Sequence, residues 1–240
     1  MDVYMQQVNK DLRTWQKAMQ RGISLPGRLS RGVQKKINKV IPEKVHRALT
    51  TAIKQMTRGV ISGAGFTSPA PVYENDLAIR ESRVRSRIGF YKTTAATEGA
   101  LTGAGGILLG LADFPLFLTI KMKMLFDLAA LYGYNTDDYK ERFFILHIFF
   151  ITFSTQDFRN KLYPVIADWD NYSRDLPEDI NAFDWRNFQQ QYRDYLDIAK
   201  LLQLMPVIGA AVGAYVNHRL TDKLGQSAMN AYRLRLLKQL

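Results

Sequence analysis

The 240-residue sequence has no cysteine. That absence excludes disulfides, cysteine–zinc sites, iron–sulfur clusters and thiol nucleophiles. Histidine is scarce, and His46, His147 and His218 have no ligand spacing with one another or with carboxylates, so no metal site and no cofactor are expected. His147 lies in an apolar run, where a lone histidine reads as a core residue. The glycines between 99 and 110 run into Ile107-Leu108-Leu109 instead of the Gly-Lys-Ser/Thr of a phosphate loop. Gly103-x-Gly105 also lacks the third glycine and the preceding strand of a dinucleotide site. Ser154 and Ser227 have no nucleophile-elbow context. The pairs Asp137/Asp138 and Glu178/Asp179 sit in polar turns, where capping accounts for them. No long strand pattern, fixed-period repeat, RNA-recognition signature or zinc finger is present. The N-terminus shows no apolar signal-peptide core.

What is present is unevenly distributed. With 47% apolar and 23% charged residues, the chain has the composition of a folded protein. Its net charge is +11. Residues 10–58 hold thirteen lysines and arginines against only Asp11 and Glu43, an excess equal to the whole net charge. Residues 101–240 carry 15 basic and 15 acidic residues. The basicity therefore belongs to an N-terminal segment, which suits an anionic partner such as a lipid surface better than a uniformly basic, nucleic-acid-binding surface would. Mean hydropathy is only −0.19. That average conceals three apolar runs: Gly99–Thr119, about the length of a bilayer span, and the shorter Phe143–Phe153 and Leu204–Val216, which fit buried core helices or interfacial segments.

Periodicity predicts helices throughout. Val8, Leu12, Trp15 and Met19 form one stripe over 3–21, and Val33, Ile37, Val40 and Ile41 mark a second basic helix. Pro42 suits the first turn of a third, running to Gly59 with Val45, Leu49, Ile53 and Met56 on its apolar face. A Gly/Pro/Ser-rich linker follows, and then a helix over 75–97. Gly103, Gly105 and Gly106 interrupt helix. Asp113, two residues before Pro115, reads as the N-cap of a helix ending at Tyr132, with Gly133 as its stop. Thr136–Asp138 opens the next helix. Residues 164–184, polar and broken by Pro177, read as loop with short turns. Asp184 caps a helix to about 202, Pro206 starts a small-residue helix with Gly209 and Gly213, and a last helix spans about 221–237.

Two ionisable residues stand out. Asp113 lies alone among about twenty apolar residues, where it is either a cap or, in a bilayer, a functional charge. Lys121 lies two turns further along the same face, roughly 12 Å away. The pair could line one cavity, and they are the only catalytic candidates. Candidate lipid contacts are Lys35, Lys36 and Lys39 for charge, and Gly103, Gly105, Gly106, Leu108, Leu109, Phe114 and Phe117 in the Gly-rich stretch. Such glycines let helices approach closely, in membranes or in tight bundles.

At this stretch the sequence resembles the EcsC family. Three blocks carry the resemblance: Thr102-Gly-Ala-Gly-Gly with Gly110-Leu-Ala-Asp113-Phe-Pro115; the helix through Lys121 and Asp127 into Leu131-Tyr-Gly-Tyr134; and Pro206-Val-Ile-Gly-Ala-Ala-Val-Gly213 with Asn217, Gly225 and Tyr232-Arg-Leu-Arg235. They span roughly residues 80–240. The resemblance implies a helical, membrane-associated protein whose founding member is encoded beside an ABC-type transporter. It implies no activity. It maps recurrent residues onto Gly103, Gly106, Asp113, Pro115, Tyr132, Gly133, Pro206, Gly209 and Asn217. Lys121 takes a place where arginine is more usual.

The expected architecture is all-α: a multi-helix bundle with a Gly-rich apolar hairpin, divided into a basic N-terminal segment (1–60), a linker (61–74) and a helical domain (75–240). The expected function is that of an accessory protein, cytoplasmic and peripheral on the inner face of the cell membrane, binding anionic lipid or a membrane transporter. The alternatives are an enzyme acting on a lipid or amphiphile, or a nucleic-acid-binding helical protein.

Overall fold

The structure, a computed structural model, describes residues 3–21, 43–63, 65–66, 69–103, 106–179, 182, 188 and 210–238; within these, the side chains at 45–46, 101–103, 106–113 and 210–212 are outside the description. The described residues are all-α, in eight α-helices: α1 Val3–Met19, α2 Glu43–Ser62, α3 Leu77–Gly103, α4 Gly106–Leu131, α5 Tyr139–Phe153, α6 Gln156–Ala167, α7 Trp169–Tyr172 and α8 Ala210–Lys238, with a 3-10 turn at Ser173–Asp175. Among them no helix is long and apolar enough to cross a membrane.

The predicted stripe of α1 is its buried face: Val8, Leu12, Trp15 and Met19. On α2, Leu49, Ile53 and Met56 turn inward, joined by Val60. Both helices enter the same core as the rest of the described chain. Their C-termini are tied down by polar side chains. The Gln156 amide donates to the Met19 carbonyl at 2.8 Å. Arg142 Nε donates to Ile61 O at 2.9 Å. Both bonds satisfy carbonyls that a helix end leaves without an intrahelical partner.

Helices α3 and α4 pack antiparallel, with Arg80 against Tyr132 and Tyr91 against Asp127; α3 ends at Gly103 and α4 begins at Gly106. Asp76 caps α3, accepting from the backbone N–H of Ala78 at 2.7 Å and Ile79 at 3.1 Å. At the far end of α4, Gly133 adopts φ +90°. Gly133 N–H reaches Ala130 O (2.9 Å) and Tyr134 N–H reaches Ala129 O (3.0 Å), the paired bonds of a Schellman stop. The start of α4 corrects the sequence reading. Asp113 is not an N-cap, and Pro115 lies inside the helix, because α4 already begins at Gly106. Between Gly106 and Asp113, Leu108, Leu109, Leu111 and Ala112 are good helix formers that outweigh the single Gly110, and they extend the helix a further two turns towards its N-terminus.

The helix α5 is apolar on every side, and it is buried accordingly from Phe143 to Phe153. Asp138 caps it by accepting from Lys140 N–H at 2.8 Å. His147 is a core residue: its Nδ1 lies 2.8 Å from Phe143 O, and burial pushes its pKa down to about 4. The loop expected over 164–184 is instead partly helical. Helix α6 carries Pro164 inside it, and α7 follows at once, because Ile166 and Trp169 are buried and hold that stretch against the core.

Helix α8 runs unbroken through 29 residues, about 43 Å, where two helices were expected. It packs antiparallel along α3: Gly99 lies beside Gly213, Ile88 beside Gly225, and Glu81 against Arg233. That long partner gives one continuous groove for both predicted pieces, which removes the reason for a break. The second basic helix over 33–41 lies outside the described residues, as does the helix over 185–202 apart from Phe188, which packs on Phe143 at 4.8 Å.

Candidate functional site

The buried stripe of α3 is Val84, Ile88, Tyr91 and Ala95, spaced four, three and four. Continuing that rhythm in both directions reaches Glu81 and Glu98. Each acid anchors a polar cluster between α3, α4 and α8, one at each end of the stripe.

At the Gly-rich end Lys121 is fully buried. Its ammonium donates to Asn217 Oδ1 at 2.6 Å, and the Asn217 amide donates to Glu98 Oε2 at 3.0 Å. The Phe117 ring covers the ammonium at 4.2 Å. Burial drives the Lys121 pKa down to about 7, with Glu98 pulling the other way. The close approach of α3 and α8 makes this cluster possible: a Cβ on Gly99 would stand 2.6 Å from the Gly213 carbonyl oxygen. Side chains larger than glycine would push Asn217 away from Lys121.

The opposite end lies sixteen residues along α8, about 24 Å away. There Glu81 and Arg233 are both buried and form a two-pronged pair, Nε–Oε1 and Nη2–Oε2 each at 2.6 Å. Tyr4 donates to the same carboxylate at 2.5 Å and Tyr132 at 3.3 Å. Next to it Glu141 accepts from Arg235 (2.7 Å) and Tyr232 (2.7 Å). Burial raises the Glu141 pKa, while Arg235 opposes the rise. Burial and the adjoining carboxylates also hold the Tyr132 and Tyr232 phenols well above their ordinary range. Tyr132 and Tyr232 stack at 5.0 Å, and the Arg235 guanidinium lies 3.9 Å from the centre of the Tyr134 ring. The Tyr132–Tyr134 and Tyr232–Arg235 blocks, a hundred residues apart in sequence, are therefore two halves of one buried network. Sequence reasoning missed Glu81, Glu98 and Glu141. For the first two the signal was the stripe itself, since a carboxylate in register with buried residues has to find a partner.

Of the candidate site residues, Lys121 and Asn217 meet. Asp113 lies in α4 with its backbone helical and its side chain outside the description, as are the side chains of Leu108 and Leu109; Gly103 ends α3 and Gly106 begins α4. Gly105, Pro206, Gly209, Lys35, Lys36 and Lys39 lie outside the described residues. Phe114 and Phe117, expected to face lipid, are buried and stack on each other at 5.7 Å. They are one turn apart on the face that α4 turns to the core, and the residues between them, Pro115 and Leu116, face outward, Leu116 at 51% exposure.

Among the described residues, the basic side chains of the N-terminal segment are on the surface. Lys10, Arg13, Lys17 and Arg21 are exposed on and just beyond α1, and Lys44, Arg47, Lys54 and Arg58 on α2. Arg47 pairs loosely with Glu43 at 3.8 Å. Both helices thus present one apolar face inward and one cationic face outward.

The EcsC protein family matches residues 6–237, so the likeness reaches through the basic segment as well as the blocks read from 80 onward. Protein EcsC of Bacillus subtilis (strain 168) is 40% identical over 230 residues, covering 94% of this chain and 93% of that protein. The uncharacterized protein YdbA of the same organism is 26% identical over 248 residues, covering 94% and 90%. No solved structure matches.

Proposed function

This chain belongs to the EcsC protein family, and we propose that it works as a peripheral accessory protein on the inner face of the cell membrane, held to anionic lipid by its basic helices. The observation that carries this reading is the outward cationic face of α1 and α2. Each lysine or arginine close to an anionic surface contributes about 1 kcal/mol, so a handful of them is enough for stable but salt-reversible attachment. The exposed Pro115 and Leu116 on α4 add a small apolar contact. On the membrane the protein would stand where a transporter partner, of the ABC type that the family resemblance implies, can be reached.

Flotation with vesicles tests the reading. The full chain should float with phosphatidylglycerol-containing vesicles, stay behind with pure phosphatidylcholine, and be released by salt. Replacing Lys10, Arg13 and Lys17 with glutamine should weaken binding about fivefold per charge. Equal partition onto neutral vesicles, or no flotation with anionic ones at low salt, overturns it.

A further inference from the structure

One surface feature is used by neither the buried clusters nor the basic helices. A groove runs along the outer side of α3 beside the end of α4, lined by Ser82, Arg83, Ser86, Arg87, Phe90 and Leu131. These α3 residues follow the spacing 82/83, 86/87, 90, one helical face turned away from the buried stripe.

The charge in this groove is layered. Glu74 lies behind Arg83 at 3.7 Å and Asp127 behind Arg87 at 3.6 Å. The acidic side chains are the inner members, 22% and 15% exposed, and the arginine side chains the outer ones, 53% and 47% exposed. Asp127 Oδ2 is already engaged by the Tyr91 hydroxyl at 2.8 Å. At these separations the carboxylates hold the arginines in place without taking their N–H groups. Among the described residues neither Arg83 nor Arg87 makes a hydrogen bond, and neither does the hydroxyl of Ser82 or Ser86. An arrival from solvent therefore meets two guanidinium forks, one turn apart, and two hydroxyls. This donor set fits the oxygens of a phosphate group. The groove is not polar throughout. Phe90 is 58% exposed at one end of the face, and Leu131 lines the groove from α4. A free phosphate would leave both apolar side chains unused.

We infer that this groove binds a single anionic phospholipid, its phosphate on Arg83, Arg87 and the two serines, and its glycerol–acyl junction against Phe90 and Leu131. The inference deepens the membrane reading by adding a headgroup site on residues separate from the cationic faces of α1 and α2.

The test uses a lipid that forms no surface. The full chain is titrated calorimetrically with dihexanoyl phosphatidic acid below its micelle concentration, and separately with inorganic phosphate. Wild type should bind the short-chain lipid more tightly than phosphate. Arg83→Gln combined with Arg87→Gln should weaken lipid binding at least about tenfold. Ser86→Glu, at an exposed position, should do the same by repulsion, and it serves as the second variant if the double arginine variant melts early. Phe90→Ser should reduce affinity for the lipid and leave that for phosphate unchanged. Equal affinity for phosphate and lipid, unchanged lipid binding in the arginine and Ser86 variants, or no binding by wild type overturns the groove. Flotation that fails while the titration succeeds sinks the surface reading alone, and the reverse pattern sinks the groove alone.

Discussion

Burying Lys121 ties the stability of this protein to pH above neutrality. The folded pKa is about 7 and the ordinary value is 10.5. Between those values the unfolded chain holds a proton that the folded chain has lost, so stability rises with pH. From pH 7 to 9.5 the unfolded lysine stays almost fully protonated while the folded one goes from half-titrated to neutral. That is about 2 pH units of full proton difference, or about 3 kcal/mol of added stability. Lys121→Met keeps the length and apolar character of the side chain and removes the titration. It also leaves Asn217 Oδ1 without its donor, a cost that does not change with pH. Urea denaturation of both proteins at half-unit steps from pH 6.5 to 9.5 isolates the effect, because the difference between them cancels other titrating groups, including the buried tyrosines. The wild type should gain about 3 kcal/mol on the variant across this window. Parallel stability curves would refute the argument, and would mean that Lys121 keeps its charge in the folded state.

Two further predictions follow from the packing of α3 on α8. Arg233→Met removes the two-pronged partner of the buried Glu81 carboxylate, leaving it Arg85 at 3.1 Å and the Tyr4 and Tyr132 hydroxyls, and should cost about 3 kcal/mol in urea denaturation, whereas replacing Glu81 and Arg233 together with apolar residues should recover most of that loss. Gly99→Ala sets a methyl against the Gly213 backbone at 2.6 Å, while Gly225→Ala meets the Ile88 side chain at 2.8 Å. Backbone cannot yield as a side chain can, so the first should lower the melting temperature clearly more than the second, and equal shifts would argue against close helix contact at Gly99.

Much of this architecture was legible in residue order. The inward stripe of α1 is the one that periodicity picks out, α5 is buried because no side of it is polar, and Gly133 closes α4 because its φ of +90° suits glycine. The errors have a common cause. Reading Asp113 as a cap, 164–184 as loop, and α8 as two helices each trusted a local breaker or capping residue over the partner that holds the segment in place. Proline and glycine weaken a helix by a few kcal/mol at most, and a long apolar interface outweighs that.

The sequence by itself determined that the chain is helical, that its surplus charge lies near the N-terminus, and that its apolar residues are gathered into a few runs, since composition and period are properties of residue order. Only the tertiary structure decided which polar residues meet. Glu81 with Arg233, and Glu98 with Asn217, are joined by the antiparallel register of α3 and α8, and Lys121 reaches Asn217 from α4. That register depends on Gly99 against Gly213 and Gly225 against Ile88, contacts between residues more than a hundred positions apart. No local preference encodes such a pairing; it is selected because a buried charge is tolerated only where a partner from another helix reaches it.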